Sequence, residues 1–314
     1  MITFGPVPSR RLGKSLGINN IISPKRCSYG CIYCQVGETR QKNIRRDIFF
    51  HPDAVYEAVS QHIEKLSTES YPDYLTFVSN GEPTLDKNLG RSIEKLKVMG
   101  IPVAVITNGS LLFIDEVAED LDLADWVSLK ADAGDPAVWH EINNPSPELN
   151  FSDTIKNMIR FAGDFGGKLC TETMLVAGVN DSPENIIKLA DLVSKINPHK
   201  AYLAIPTRPP ARISVHPPTP EKLNLAWQLF NERNINAEFL NGFEGTETGF
   251  TGNIYEDILN ITAVHPLREE VLHSLLEKDN SDLHYVKEMV AQHLIRQVTY
   301  NGHKYYVRDY HVDY

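Results

Sequence analysis

The sequence predicts an α/β protein: a partial (β/α)6 barrel followed by a small winged-helix-like domain. Three observations carry that expectation. Short β-rich runs alternate with amphipathic helical stretches six times between residues 16 and 232. Gly, Asn, charged and hydroxyl residues gather just after each run's last apolar residue, at the end where parallel barrels bind ligands. Near Asn241-Gly242-Phe243-Glu244-Gly245 the composition changes, and beyond Pro266 the pattern becomes two helices and a hairpin.

The opening Gly5-Pro6-Val7-Pro8-Ser9-Arg10-Arg11-Leu12-Gly13 is punctuated as a loop. Residues 16–22 form the first candidate strand, and a cysteine-rich loop follows at once. A helical period over 52–66 starts at His51-Pro52-Asp53. Strand 74–78 ends at Asn80-Gly81-Glu82-Pro83, and helix 88–99 leads to strand 103–106, which ends at Thr107-Asn108-Gly109. Helix 111–121 precedes strand 126–129, which stops at Lys130-Ala131-Asp132. A Pro/Asn-rich loop then gives way to helix 151–164 and the long strand 168–176, ending at Val179-Asn180-Asp181. Helix 183–196, strand 202–205 and helix 220–232 close the series. Consecutive units of this kind imply parallel strands with right-handed crossovers. Six units are too few for an ordinary eight-unit barrel, so the sheet is expected to stay partly open. Residues 1–240 are thus the barrel, 241–265 a linker and 266–314 a winged-helix-like domain. That domain is expected to have its own core along Val271, Leu272, Leu275, Leu276, Leu283, Val286, Val290 and Leu294.

Three of the four cysteines, Cys27, Cys31 and Cys34, fall within eight residues. Thiols so spaced read as metal ligands. Structural zinc takes four protein ligands, so a zinc clip here needs a remote partner. An iron–sulfur cube held by three cysteines is the other solution, and it leaves one iron open to a ligand. Cys170 lies mid-strand with Glu172 and Met174 on its face, and reads as a small buried hydrophobe, with a hydrogen-atom relay as the alternative. If that face looks into the mouth, Glu172 could touch substrate.

The spacing C-x3-C-x2-C, with Tyr33 just before the third cysteine, resembles the radical S-adenosylmethionine (SAM) superfamily. Phe4 to Gly13, Asp135-Pro136-Ala137-Val138-Trp139-His140-Glu141-Ile142-Asn143, Val179 to Pro183 and Arg208-Pro209-Pro210-Ala211 are similar to a group filed beside the wyosine-base-forming enzymes. The resemblance implies that Cys27, Cys31 and Cys34 hold a [4Fe–4S] cluster whose open iron binds SAM. Asn80-Gly81-Glu82-Pro83 stands where the family has Gly-Gly-Glu-Pro, and would receive the SAM amino group. Ser128-Leu129-Lys130 resembles the Asp-Leu-Lys element of glycyl-radical activating enzymes, so Lys130 would pair with the SAM carboxylate. By the same resemblance Thr107 and Asn108 would bond the ribose, while Tyr33 and the stretch Val176 to Asn180 would flank adenine. Wyosine-forming enzymes carry a second cluster on three further cysteines. Only Cys170 remains here, which sets this chain apart from them.

Net charge is −10, yet residues 1–46 hold nine basic side chains against the single acid Glu38. This bias suits an anionic cluster or an acidic electron donor of the flavodoxin or ferredoxin type. Residues 266–314 carry six basic and eight acidic side chains, which disfavours DNA reading, since phosphate contacts dominate DNA affinity. RNA stays open. The alternative readings are a protein-radical installer similar to glycyl-radical activating enzymes, a tRNA base-modifying enzyme and an iron–sulfur winged-helix regulator, and a protein or peptide is a candidate substrate. The N-terminal stretch lacks a signal-peptide core and no apolar run is of membrane-spanning length, so a cytoplasmic, membrane-free protein is expected.

Overall fold

The computed structural model describes residues 2–240 and 248–309. A hairpin of β1 (Thr3–Ser9) and β2 (Gly13–Ile18) opens the chain. There follow α1 (Pro52–Glu64), β3 (Tyr74–Phe77), α2 (Leu89–Lys97), β4 (Val103–Thr107), α3 (Asp115–Asp122) and β5 (Trp126–Lys130). Two helices, α4 (Pro136–Asn143) and α5 (Phe151–Asp164), precede β6 (Lys168–Met174). Then come α6 (Pro183–Ile196), β7 (Lys200–Ala204), α7 (Pro220–Asn231) and β8 (Ala237–Leu240). The strands make one sheet in chain order, parallel from β2 to β8, with β1 antiparallel on the β2 edge.

Strand alternation sorts the side chains into two layers. Leu75, Phe77, Val103, Val105, Val127, Leu129 and Leu203 face the helices and form the main core. On the other face Trp126, Cys170, Tyr202 and Leu240 of the neighbouring strands β5 to β8 form one cluster with Leu12, which comes from the β1–β2 turn at the opposite edge of the sheet. Side chains so far apart along a sheet meet only if it curls, which gives a half-barrel. Cys170 is one of these packed residues, as a small buried hydrophobe should be.

The expected strands correspond to β2 through β7, but two more exist. The segment 5–13, expected as a loop, contains most of β1. Proline is tolerated there because β1 is an edge strand, and its pairing is irregular between Phe4 and Val7. Four-residue β8, Ala237-Glu238-Phe239-Leu240, buries only Leu240 and lacks the continuous apolar, β-rich run that marks the equally short β3. The Pro/Asn-rich loop after β5 holds α4. Asp135 caps its N-terminus by accepting from the Ala137 and Val138 amides, and Asn144 ends it in a left-handed conformation. Its flanking prolines and asparagines are helix-terminus chemistry.

After residue 247 come α8 (Ile254–Val264), β9 (Leu267–Arg268), α9 (Glu269–Lys278), α10 (Leu283–Ala291), β10 (Ile295–Tyr300) and β11 (His303–Arg308). The last two form the expected hairpin around Asn301 and Gly302, both at positive φ, and β9 joins its β11 edge. Residues 254–264, expected as linker, are the helix α8; residues 241–247 lie outside the described residues. The C-terminal core holds Ile258, Val271, Leu272, Leu275, Leu276 and Val286, but also Phe4 of β1. Leu283 and Val290 of the expected stripe are exposed, and Met289 is buried instead. The Phe4 ring lies flat over Gly17, where an added Cβ would sit 2.1 Å from a ring carbon. Gly17 thus makes room for the ring that the C-terminal helices cover. Tyr300 Oη donates to the Pro206 carbonyl (3.1 Å) and Tyr305 Oη to that of Thr207 (2.8 Å). The C-terminal unit is therefore docked on the barrel rather than tethered to it. Among the described residues no helix is long and apolar enough to cross a membrane.

Candidate functional site

The cysteine loop leaves the carboxyl end of β2 and lies across the ends of its neighbours. It is clasped on three sides. Where β3 ends, the Glu82 amide donates to the Arg26 carbonyl at 2.9 Å, and the Arg26 amide approaches the Asn80 carbonyl at 3.4 Å. Gly81 sits between them at φ +143°, and a Cβ there would fall 1.7 Å from the Arg26 oxygen. Only glycine permits that approach. Where β4 ends, Asn108 Nδ2 donates to Ser28 Oγ (2.8 Å), which also bonds Ser110 Oγ (2.6 Å). On the third side the Gly30 and Ile32 amides donate to carbonyls of Asn143 and Ile142 at the end of α4, each at 3.0 Å.

The three thiols are free and half-buried, and each has a donor nearby. The Tyr29 amide and Asn108 Nδ2 approach Cys27 Sγ at 3.5 and 3.7 Å, Asn143 Nδ2 reaches Cys31 Sγ at 3.5 Å, and Lys25 Nζ reaches Cys34 Sγ at 3.0 Å. Burial pushes the Cys31 thiol up to about 11 and raises Cys27 further. Burial also opposes ionisation of Cys34 and is the largest single influence on it, but the Lys25 charge and hydrogen bond, the Val36 amide and the Lys130 charge together outweigh it and hold that thiol below its ordinary value. Among the described residues no three Cys, His, Asp or Glu side chains converge on one point as single-ion ligands do.

Glu82 is buried and its carboxylate is braced from inside the fold. Oε1 accepts from the Thr84 amide (3.1 Å), Thr84 Oγ1 (2.8 Å) and Thr107 Oγ1 (2.5 Å), and Oε2 accepts from the Asn108 amide (2.8 Å). Burial still leaves its pKa raised against those four donors. Pro83 begins the short helical turn that Glu82 caps. Asn180 staples the loop after β6: its Nδ2 donates to the Asp132 and Met174 carbonyls and its Oδ1 accepts from the Val176 amide, all at 2.8 Å. Val176 packs with Tyr29, Tyr33 and Trp139 beside the loop.

Within the mouth lies a charged cluster only partly anticipated. Glu172 is ion-paired to both Lys130 and Arg11. The Lys130 ammonium lies 5.1 Å from the centre of the Tyr33 ring, and burial lowers its pKa. Tyr33 donates to Asp132, which also accepts from Asn143 Nδ2 (2.7 Å) and the Met174 amide (2.8 Å). Asp132, Asn143 and Lys25 were not singled out as site residues from the sequence. Asp132 stands two residues after the Ser-Leu-Lys element, which was a usable signal; Asn143 required knowing that α4 exists. Two expected contact residues carry buried polar atoms without a hydrogen-bond partner among the described residues, Asn80 Oδ1 and Ser128 Oγ. Beside the loop a groove of about 980 Å³ is lined by Lys25, Arg26, Arg40, Arg296 and Arg308, against Glu38 and Asp309.

A half-barrel of parallel strands with a three-cysteine loop at its carboxyl edge defines a class of barrel enzymes that bind their cofactors at that mouth. The family model described as "Radical SAM superfamily" matches residues 21–190, and the chain belongs to the radical SAM superfamily. It is 44% identical over 310 residues to a UPF0026 protein of Methanocaldococcus jannaschii, covering 98% of this chain and 96% of that one. Among solved structures, it resembles Streptococcus suis SuiB bound to its precursor peptide SuiA with a TM-score of 0.54 at 16% identity. That match covers 72% of this chain and 48% of SuiB. TYW1 with a lysine–pyruvate adduct bound matches with a TM-score of 0.50 at 16% identity, over 94% of this chain and 80% of that one. Membership makes this a radical SAM enzyme, with an iron–sulfur cluster and SAM as cofactors and a need for an electron donor.

Proposed function

We propose that Cys27, Cys31 and Cys34 hold a [4Fe–4S] cluster, and that SAM binds its open iron across the ends of β3, β4 and β5. The observation that carries this reading is the clasped loop, which holds three half-buried thiols at the carboxyl edge of the sheet. The donor set fits. A setting that disfavours free thiolates on Cys27 and Cys31 favours a partner that brings positive charge, and N–H donors to sulfur tune such a cluster. Bound there, the pair supplies one-electron cleavage of SAM to methionine and a 5′-deoxyadenosyl radical, which takes a hydrogen atom from substrate.

The chain's own residues bind and orient. Asn80 Oδ1 is an unused acceptor suited to the SAM amino group, and Glu82 Oε2 keeps acceptor capacity beside it. Lys130 offers a point charge to the carboxylate once it is shared with Glu172. Tyr33 and Val176 provide apolar surface for adenine. Thr107, Asn108 and Asn180 act chiefly by holding Glu82 and the loops in register. Substrate would enter the concave face near Lys130 and Glu172. A one-electron donor of the flavodoxin or ferredoxin type, acidic on its docking face, would use the basic groove that Lys25 connects to Cys34.

The reading predicts that Lys130→Ala and Glu82→Ala each weaken SAM binding by one to two powers of ten, about 1.4–3 kcal/mol. Calorimetry on the cluster-loaded protein checks this. Iron content should stay unchanged in the Lys130 variant. Normal SAM affinity in both variants would remove these residues from the SAM site.

A further inference from the structure

The three thiols of the clasped loop do not meet equal neighbours. Cys27 and Cys31 face neutral donors: the Tyr29 amide and Asn108 Nδ2 at 3.5 and 3.7 Å for the first, and Asn143 Nδ2 at 3.5 Å for the second. Cys34 faces a cation. Lys25 Nζ donates to Cys34 Sγ at 3.0 Å, the shortest of these four contacts. One corner of the loop therefore carries a full positive charge, where the other two are met by dipoles.

That charge is held in place. The backbone next to Lys25 is fixed, because Arg26 is clasped between Asn80 and Glu82 at the end of β3. At the far end of the side chain, the ammonium also donates to the Gly37 carbonyl at 2.6 Å. The Gly37 amide in turn donates to the Cys34 carbonyl at 3.2 Å, and Gly37 makes the turn at φ +89°. The stretch Cys34 to Gly37 thus presents a sulfur and a carbonyl oxygen to the same ammonium. Lysine is ordinarily a mobile point charge on a flexible stem; here two of its three N–H bonds are directed. The side chain is half-buried, so its field at the sulfur is screened less than that of a surface lysine. With Gln35, Val36 and Gly37 it also lines the groove assigned above to the electron donor, so the charged corner is the one that faces that groove.

We propose that Lys25 raises the reduction potential of the cluster by its charge at Cys34. The inference rests on the functional reading above, in which Cys34 is a cluster ligand. One-electron reduction adds negative charge to the cluster and its sulfurs, and a cation in hydrogen-bond contact with one sulfur stabilises the reduced form. The test is a redox titration of cluster-loaded, full-length protein without SAM, followed by electron paramagnetic resonance. Lys25→Met keeps the length but loses charge and donor. It should disfavour reduction by about tenfold or more, a fall of about 59 mV or more for a one-electron couple. Lys25→Gln keeps an N–H donor without the charge and should lose most of the same amount, whereas Lys25→Arg should stay close to wild type. Iron content and melting temperature should match wild type in all three. An unchanged potential in either neutral variant, or an arginine variant that falls as far as the methionine one, overturns the proposal. So does loss of iron from both neutral variants, which would make Lys25 a brace for the turn rather than a charge at the sulfur. A wild-type protein that loads no cluster would reject the functional reading and this inference together. A loaded protein whose potential is indifferent to Lys25 would reject the inference alone.

Discussion

Replacing any one of Cys27, Cys31 and Cys34 with alanine should leave the protein without its cluster, whereas Cys170→Ala should load normally. The wild-type chain, reconstituted anaerobically, is expected to bind about four irons. The contrast follows from where the thiols sit. Cys27, Cys31 and Cys34 share one loop clasped by the ends of β3, β4 and α4, and each has a hydrogen-bond donor at its sulfur. Cys170 is packed against Trp126 and Tyr202 on the concave face, where burial raises its thiol to about 11. Its loss should cost only modest packing energy, on the order of 1 kcal/mol. Iron and sulfide analysis with the charge-transfer absorption reads out all four variants. Stoichiometric zinc without that absorption would favour the single-ion alternative.

Gly81→Ala should be nearly as damaging without touching a ligand. Its Cβ would meet the Arg26 carbonyl oxygen at 1.7 Å, a contact with backbone that no rotamer relieves. The positive φ adds strain for any L side chain. Overpacking and backbone strain together should cost about 3 kcal/mol or more, and the residue that moves is the one before Cys27. The expected result is a lowered melting temperature and a large loss of iron. A Gly81→Ala variant with wild-type melting and full iron content would show that this clasp does not position the loop.

The barrel was legible because its strands face two ways: Val103, Val105, Val127 and Leu129 toward the helices, and strand-end residues such as Glu82 and Lys130 toward the mouth. The β1 strand was hidden by Pro6 and Pro8, which an edge strand tolerates and a central one does not. Helix α4 was hidden because Asp135-Pro136 and Asn143-Asn144 are caps that read as turn residues when the helix is short. The boundary of the C-terminal unit was misjudged because α8 has its hydrophobic partner, Phe4, some 250 residues earlier in the chain. No local pattern reports such a contact. The same holds for the site. Cys27, Cys31 and Cys34 stand out by their spacing, and the stretch Asn80 to Pro83 by its resemblance to Gly-Gly-Glu-Pro and its place after the second expected strand. The Lys130–Glu172–Arg11 cluster and the Asp132 partners exist only once β1, β5, β6 and α4 are brought together.

The central claim is that these elements assemble a radical SAM active site. It is tested most directly by anaerobic incubation of the cluster-loaded protein with SAM and a strong one-electron reductant, followed by product analysis. The account predicts 5′-deoxyadenosine and methionine in equal amounts from the wild-type protein, and neither from Cys27→Ala, Cys31→Ala or Cys34→Ala. A cluster-loaded, reduced protein that leaves SAM intact, or yields the same products after loss of any of these cysteines, would contradict it.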